Sequence, residues 1–279
     1  MRVAFQGTAG AYSEIALRKF FGTDPEIKVS GFDHSEQVIE ALLEGEVDRA
    51  ILPVENSIVG NVSVNMDLLY AQNVWAIGEV FIPIKHCLLA KQGVKLKDIK
   101  IVSSHPIALA QCRDFLNRHH IEARPEFDTA GASKLLNTNG HEHEATIASS
   151  LCAKYYSLNI VEDHIQKVKN NITRFLVMTR KDDCVRGIKE EKTCIAFMTK
   201  HHSGALLNCL QEFKKFNLNL TKLESRPIVD NPFAYIFFVD FLGASTDSKV
   251  KDCLSALKND TELTKVIGSF EKGILPEYN

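Results

Sequence analysis

The segment Asn170-Asn171-Ile172-Thr173-Arg174-Phe175 places amides, a hydroxyl and a guanidinium at the opening of an apolar stretch, Phe175 to Met178. A guanidinium offers a planar fork that holds a carboxylate through two hydrogen bonds. The adjacent hydroxyl can donate to an oxygen, so the segment suits work on an anion, although an edge strand with a surface arginine fits the same residues. Pro53-Val54-Glu55-Asn56-Ser57 sets three polar residues at the end of another apolar run, where open α/β sheets bind ligands. Capping of the following helix by Asn56 or Ser57 is the alternative. Ser103-Ser104-His105-Pro106 ends a run and starts a helix, with Pro106 near the first helical position. Ser104 and Gln111 fall about 20° apart in helical phase, which predicts a polar edge, with Ala108, along a cleft. Gly7-Thr8-Ala9-Gly10-Ala11-Tyr12-Ser13 lacks the spacing of nucleotide-binding loops. An anion-binding turn at a helix amino terminus and a plain turn both fit it. Asp128-Thr129-Ala130-Gly131-Ala132 offers a hydroxyl and small side chains at another helix start.

These residues need elements to hold them. Strands are expected at Arg2 to Phe5, Ile27 to Phe32 and Ala50 to Val54, and helices at Tyr12 to Phe21 and Ser35 to Leu43. That alternation predicts a mostly parallel α/β layer. The pattern recurs with strands at Ile99 to Ser103 and Thr146 to Ala148, and helices at Pro106 to Leu116 and Ala130 to Leu136. Extended stretches at Gly78 to Ala90 and Ile160 to Ile165 read as the chain leaving a first lobe and returning from a second. The crevice between lobes is the natural site. A polar, glycine-containing segment from Lys181 to Lys192 reads as a linker. Beyond it come strand Thr193 to Met198, helix Ala205 to Phe216, strands Leu218 to Pro227 and Phe233 to Phe241 joined by a turn at Val229-Asp230-Asn231-Pro232, helix Asp247 to Leu257 and strand Thr264 to Phe270. This βαββαβ order is that of a ferredoxin-like module.

At 279 residues the chain has room for two domains, and its formal charge of −2 gives no basic excess for a nucleic acid partner. The apolar run Phe233 to Val239 is far short of a membrane span, and no targeting pattern opens the chain, so a cytoplasmic protein without a membrane partner is expected. The seven cysteines include no CxxC pair and read as free thiols. His141 and His143 lack further ligands at metal-binding spacing, so a polar loop is the expectation there.

Taken in order, Gly7 to Ser13, Pro53 to Ser57, Ser104-His105-Pro106 with Gln111-Cys112, Asp128-Thr129-Ala130 and Asn171-Ile172-Thr173-Arg174-Phe175 resemble the prephenate dehydratase family. Gly204-Ala205-Leu206 and Leu223-Glu224-Ser225-Arg226-Pro227 resemble the regulatory ACT module that the family carries. The resemblance implies an α/β protein with a two-lobed, periplasmic-binding-protein-like catalytic domain over residues 1–181, its second lobe about 79–158, and a ferredoxin-like ACT domain over 193–279. It implies a carbon–oxygen lyase that converts prephenate to phenylpyruvate, with loss of carbon dioxide and water, in phenylalanine biosynthesis, using no cofactor or metal. Arogenate dehydratase and a non-catalytic amino-acid-responsive binding protein are the alternatives.

By the same resemblance Thr173, Asn56, Ser104 and Gln111 are the catalytic set, with Thr173 donating to the departing hydroxyl. Ser13, Ser57, Thr129, Ala130, Arg174 and Phe175 bind substrate, Arg174 through a carboxylate. Gly204, Ala205, Leu206, Asn219, Leu220, Thr221, Glu224 and Ser225 form a site for inhibitory L-phenylalanine, in a homodimer or homotetramer. The chain departs from the family at Ile107, where glutamine is usual, and at Lys167, where an acidic residue is usual.

Overall fold

A computed structural model describes residues 1–184, 189–228 and 231–277. The turn expected at Val229 to Pro232 and the linker expected at Lys181 to Lys192 lie partly outside the described residues. The elements run β1 (Arg2–Gln6), α1 (Tyr12–Phe21), β2 (Lys28–Phe32), α2 (Ser35–Leu43), β3 (Arg49–Asn56), β4 (Gly60–Asn61), α3 (Ser63–Ala71), β5 (Val74–Pro83) and β6 (Cys87–Ala90). There follow β7 (Ile101–Ser104), α4 (Pro106–Gln111), α5 (Arg113–Arg118), β8 (Glu122–Pro125), α6 (Thr129–Asn139), β9 (Glu144–Ala148), α7 (Ser150–Tyr155), β10 (Asn159–Glu162) and β11 (Ile172–Arg180). The chain continues with β12 (Lys192–Thr199), α8 (Ala205–Lys215), β13 (Leu220–Ile228), β14 (Asn231–Leu242), α9 (Ser248–Leu257) and β15 (Thr261–Phe270). Two compact units result: Met1–Asn65 with Val80–Phe175 and Leu275–Asn279, and Met66–Glu79 with Leu176–Ile274.

The first unit is a two-lobed α/β body. In one lobe β1 pairs in parallel with β2 and β3, and buried Val3, Ala4, Phe5 and Ala50 to Leu52 give it the unbroken apolar strands of a sheet covered on both faces. The other lobe has the order β10-β6-β9-β7-β8, with β7 parallel to β8 and β9 and β6 antiparallel to β9. Side chains alternate across it: Leu88, Ala90, Ala145 and Ile147 enter one core and Cys87, Leu89 and Ala148 enter the other. The two segments that join the lobes hydrogen-bond to each other, Ile84 N–H to the Asn171 carbonyl and Ile165 N–H to the His86 carbonyl. One expected helix, Pro106 to Leu116, is divided, because Cys112 takes φ −103° and ψ 7° between α4 and α5 and its buried thiol packs into the core.

In the second unit β12, β14, β13 and β15 pair antiparallel in the order β13-β14-β12-β15. Ile195, Phe197, Val239 and Phe241 on one sheet face pack with Cys209 and Phe213 of α8 and Val250 and Leu257 of α9. On the other face the buried ammonium of Lys192 lies 2.9 Å from Glu79 and 3.7 Å from Asp240. No helix among the described residues is long and apolar enough to cross a membrane.

Candidate active site

A cavity of about 520 Å³ opens between the lobes of the first unit, within the usual range for small-molecule sites. Its wall is built at element ends: Gln6, Gly7 and Ser13 around the β1–α1 turn, Asn56 at the end of β3, Ala108 and Gln111 on α4, Thr129 at the start of α6, and Asn171, Thr173 and Phe175 along β11. Gly7 at φ 116° and Gly10 at φ 93° shape that turn in a region that disfavours side chains. The turn's N–H groups are largely engaged, Gly7 with the Phe32 carbonyl, Ala11 with the Thr8 carbonyl, and Gly10 with Glu14. Beyond it Glu14 and Ile15 N–H turn to the Ala11 carbonyl, and α1 has no side-chain cap. That uncapped terminus suits an anion. At α6 the chain's own Asp128 occupies the equivalent position, accepting from Gly131 N–H at 2.6 Å and from the Thr8 hydroxyl at 3.0 Å. A second carboxylate at that terminus would meet the Asp128 side chain already there.

A row of amides crosses the cavity wall. Asn56 Oδ1 accepts from the backbone N–H groups of Ile58 and Val59, which fixes the sense of its amide. Its Nδ2 therefore donates, to Asn171 Oδ1 at 2.7 Å and to Thr173 Oγ1 at 2.9 Å. Thr173 accepts this bond, so its own proton is left for the cavity. Asn171 Nδ2 donates to Gln111 Oε1 at 3.1 Å, and the same oxygen lies 2.8 Å from His86 Nε2. His86 Nδ1 lies 3.1 Å from the Tyr12 hydroxyl, which donates to the Lys85 carbonyl at 2.7 Å. Burial lowers the His86 pKa, more than the Gln111 bond raises it, and drives the Tyr12 phenol well above its ordinary value.

The structure brings Thr173, Asn56, Gln111, Ser13, Thr129 and Phe175 to the cavity and leaves four expected residues out of it. Ser104 is fully buried and donates to the Ile147 carbonyl; it ends a strand, so its helical phasing with Gln111 does not apply. Arg174 alternates with Thr173 and Phe175 on β11 and faces the opposite side, buried with its guanidinium 3.7 Å from Glu55. Ser57 is not at a helix start: it sits in the turn before β4, accepting from Ile172 N–H and donating to the Asn170 carbonyl. Ala130 is buried in the second lobe's core.

The sequence reading did not select His86, Tyr12 or Asp33, which also line the cavity. His86 stands alone between two strands with no patterned neighbour, so only its burial beside Gln111 marks it. His105 lines the cavity too and caps α4 by accepting Ile107 N–H at Nδ1; burial lowers its pKa, opposed by Asp128. Among the described residues no lysine or arginine lines the cavity, whereas Asp33 and Asp128 do. Beside the cleft, Ile107 and Lys167 meet in one apolar groove with Ile58, Val59, Ala110 and Val168, where Lys167 pairs with Asp114 at 2.9 Å.

In the second unit Gly204, at φ 85°, precedes α8 without a side-chain cap. Together with Ala205 and Leu206 it borders a depression that also includes His201 and His202. Asn219 precedes β13, which carries Leu220, Thr221, Glu224 and Ser225; none of these five borders the depression. His141 and His143 stack with ring centroids 5.7 Å apart, and the described residues hold no cluster of three or more metal-ligating side chains.

A two-lobed α/β body with a mostly apolar interlobe cleft crossed by a row of amides and a hydroxyl is a scaffold for small-molecule chemistry. The chain belongs to the prephenate dehydratase family, whose model matches residues 3–183, and it is a dehydratase, a carbon–oxygen lyase. It is 38% identical to arogenate dehydratase/prephenate dehydratase 2, chloroplastic, of Arabidopsis thaliana, over 97% of this chain and 72% of that one. Among solved structures, prephenate dehydratase from Arthrobacter aurescens in complex with L-Phe superposes with a TM-score of 0.87 at 30% identity, covering 98% of this chain and 90% of that one. GqqA, described as a novel type of quorum quenching acylase, superposes with the same TM-score at 29% identity, covering 97% of each.

Proposed function

We propose that the chain converts prephenate to phenylpyruvate, carbon dioxide and water in phenylalanine biosynthesis. The observation that carries this reading is the orientation of Thr173, whose hydroxyl accepts from Asn56 and so presents its proton to the cavity. Prephenate carries a carboxylate on a quaternary ring carbon and a hydroxyl on the carbon opposite. The C–C bond to the carboxylate breaks, its electron pair enters the ring, and the C–O bond breaks on the far side. The departing oxygen leaves with the C–O electron pair and takes one proton, supplied in net from solvent, to become water, and the ring becomes aromatic. Thr173 donates to that oxygen as charge builds on it, Gln111 and Ser13 hold the ring's polar substituents, and the open α1 terminus receives a carboxylate. The chemistry calls for no redox step.

A second reading, arogenate as substrate, draws on the two aspartates and the absence of lysine and arginine in the cavity wall. An ammonium-bearing side chain would be paired by such a wall, and the Arabidopsis relative carries both activities in its name. Purified protein assayed on each substrate separates these readings through the ratio of kcat/KM. Turnover of neither would refute both and favour the non-catalytic binding protein.

Residues 1–181 form the catalytic domain and residues 193–279 an ACT module that takes L-phenylalanine as inhibitor in a homodimer or homotetramer. Support comes from the βαββαβ order, the uncapped α8 start at Gly204 and the L-Phe complex of the Arthrobacter enzyme. Inhibition requires phenylalanine to favour one of two global states, so phenylalanine sensitivity that survives removal of residues 190–279 would refute the assignment. Cytoplasmic residence belongs to the same proposal, and fractionation of the source cells tests it against the plastid location named for the Arabidopsis relative.

A further inference from the structure

We infer that His86 is a positioning residue of the cleft: a fixed Nε2–H holds the Gln111 amide so that its nitrogen, not its oxygen, faces the substrate. The inference rests on the reading of the cleft given above and adds to it a residue outside the segments quoted for the resemblance.

Two backbone donors decide the matter. Ile58 and Val59 N–H both point at Asn56 Oδ1, and an amide nitrogen cannot accept them. From that anchor each contact has one sense. Asn56 Nδ2 donates, so the facing atom of Asn171 is its oxygen. Asn171 therefore offers its nitrogen to Gln111, and Gln111 answers with Oε1. The atom of His86 that faces Oε1 at 2.8 Å must then carry a proton. Reversing Asn56 or Asn171 sets like against like at two or more contacts, and reversing Gln111 sets its nitrogen against Asn171 Nδ2. Such side-chain orientations are ordinarily assigned only by summing local contacts, whereas here the backbone dictates them.

His86 is 3% exposed, and burial favours the neutral ring, which has a single N–H to place. With that proton on Nε2, Nδ1 is an acceptor for the Tyr12 hydroxyl at 3.1 Å, shared with the Lys85 carbonyl. The ring itself is held by its own backbone, because Gln166 Oε1 accepts His86 N–H at 2.9 Å and Gln166 donates to the Ile84 carbonyl. The Gln111 oxygen is thus bound twice, by Asn171 and by His86, and the amide nitrogen remains for the cavity that Gln111 lines. Without His86 the oxygen keeps one bond, and the side chain is free to turn or withdraw. The Thr173 end of the row does not depend on His86, since Asn56 is anchored by backbone.

The test is a mutant cycle on the full chain, read as kcat/KM for prephenate and for arogenate, with the tautomer of His86 followed by 15N NMR. His86→Leu should lower kcat/KM by about tenfold, the weight of one well-oriented hydrogen bond. His86→Gln, whose amide nitrogen can replace the Nε2 donor, should recover to within about threefold of wild type. His86→Leu combined with Gln111→Ala should be no slower than Gln111→Ala alone. The imidazole nitrogens should show Nε2 protonated and Nδ1 accepting. Losses that multiply, a His86→Gln variant as slow as His86→Leu, or a proton found on Nδ1 alone would each overturn the inference. If Gln111→Ala and Thr173→Val both run at wild-type speed, the reading of the cleft falls with it; if Thr173→Val is slow while the His86 and Gln111 losses multiply, only the role of His86 falls.

Discussion

Asn56→Asp tests the claim that the donor sense of the amide row is what equips Thr173. The substitution preserves shape and keeps the oxygen that accepts from Ile58 and Val59. It exchanges the nitrogen that donates to Asn171 at 2.7 Å and to Thr173 at 2.9 Å for a carboxylate oxygen. Thr173 then turns its proton toward Asp at position 56, and the cavity loses the donor. Withdrawing one preorganised donor from developing charge costs about 10²–10³ in kcat, or about 2.7–4 kcal/mol. Stability should fall by less, about 1–3 kcal/mol for contacts left mismatched, which in a chain of this size lowers Tm by roughly 2–12 °C. The assay is release of phenylpyruvate, with Tm measured beside it to separate a folding defect from a chemical one. The variant should also speed up as pH falls, because a protonated carboxyl regains a proton to give to Thr173. A kcat within about threefold of wild type, less than 1 kcal/mol, would refute the reasoning, as would a large loss that stays flat from about pH 6 to about pH 3, across the ordinary carboxylate range.

Arg174→Met should leave KM within about threefold while lowering stability by about 1–3 kcal/mol, because the guanidinium is buried against Glu55 and turned from the cavity; a tenfold rise in KM with unchanged Tm would restore it to the substrate. Gly10→Ala puts a side chain at φ 93° with its Cβ 2.7 Å from Cys152 Sγ, so the denaturation midpoint should drop, and Cys152→Ala in the same chain should recover the part due to overpacking. His86 and His105 have folded pKa values below their ordinary 6.5, so the unfolded chain binds more protons in that interval. Stability from these two groups is therefore complete above about pH 6.5 and is lost as pH falls through the lowered values; denaturant titrations that show a gain on acidification would contradict the burial argument.

The sequence exposed the alternation of strands and helices because most strands are apolar runs and most helices carry a single buried stripe. It did not reveal β8, Glu122–Pro125, where all four residues are exposed and no pattern distinguishes strand from loop. It also joined α4 and α5, since the apolar spacing of Leu109, Cys112 and Leu116 passes unchanged through the break at Cys112. In the site, Thr173 and Asn56 were legible at the ends of strands and Gln111 at the end of a helix, all within the segments that carry the family resemblance. Ser104 and Arg174 were misplaced for a simple physical reason: one residue along a strand reverses the face, and a motif does not say which face meets the ligand. His86 was invisible because its role comes from a contact with Gln111, 25 residues away, across the lobe connection.

A cleft wall without lysine or arginine has a consequence for how the molecule meets its surroundings. Ions in solution compete with long-range fields and do little to short hydrogen bonds from buried amides and hydroxyls. The Debye length shrinks from about 30 Å at 0.01 M salt to about 8 Å at 0.15 M, yet an anion captured by Thr173, Gln111 and the α1 terminus gains little from the longer reach. If the proposed anion is the substrate, kcat/KM should therefore change little between about 0.01 M and about 0.15 M salt.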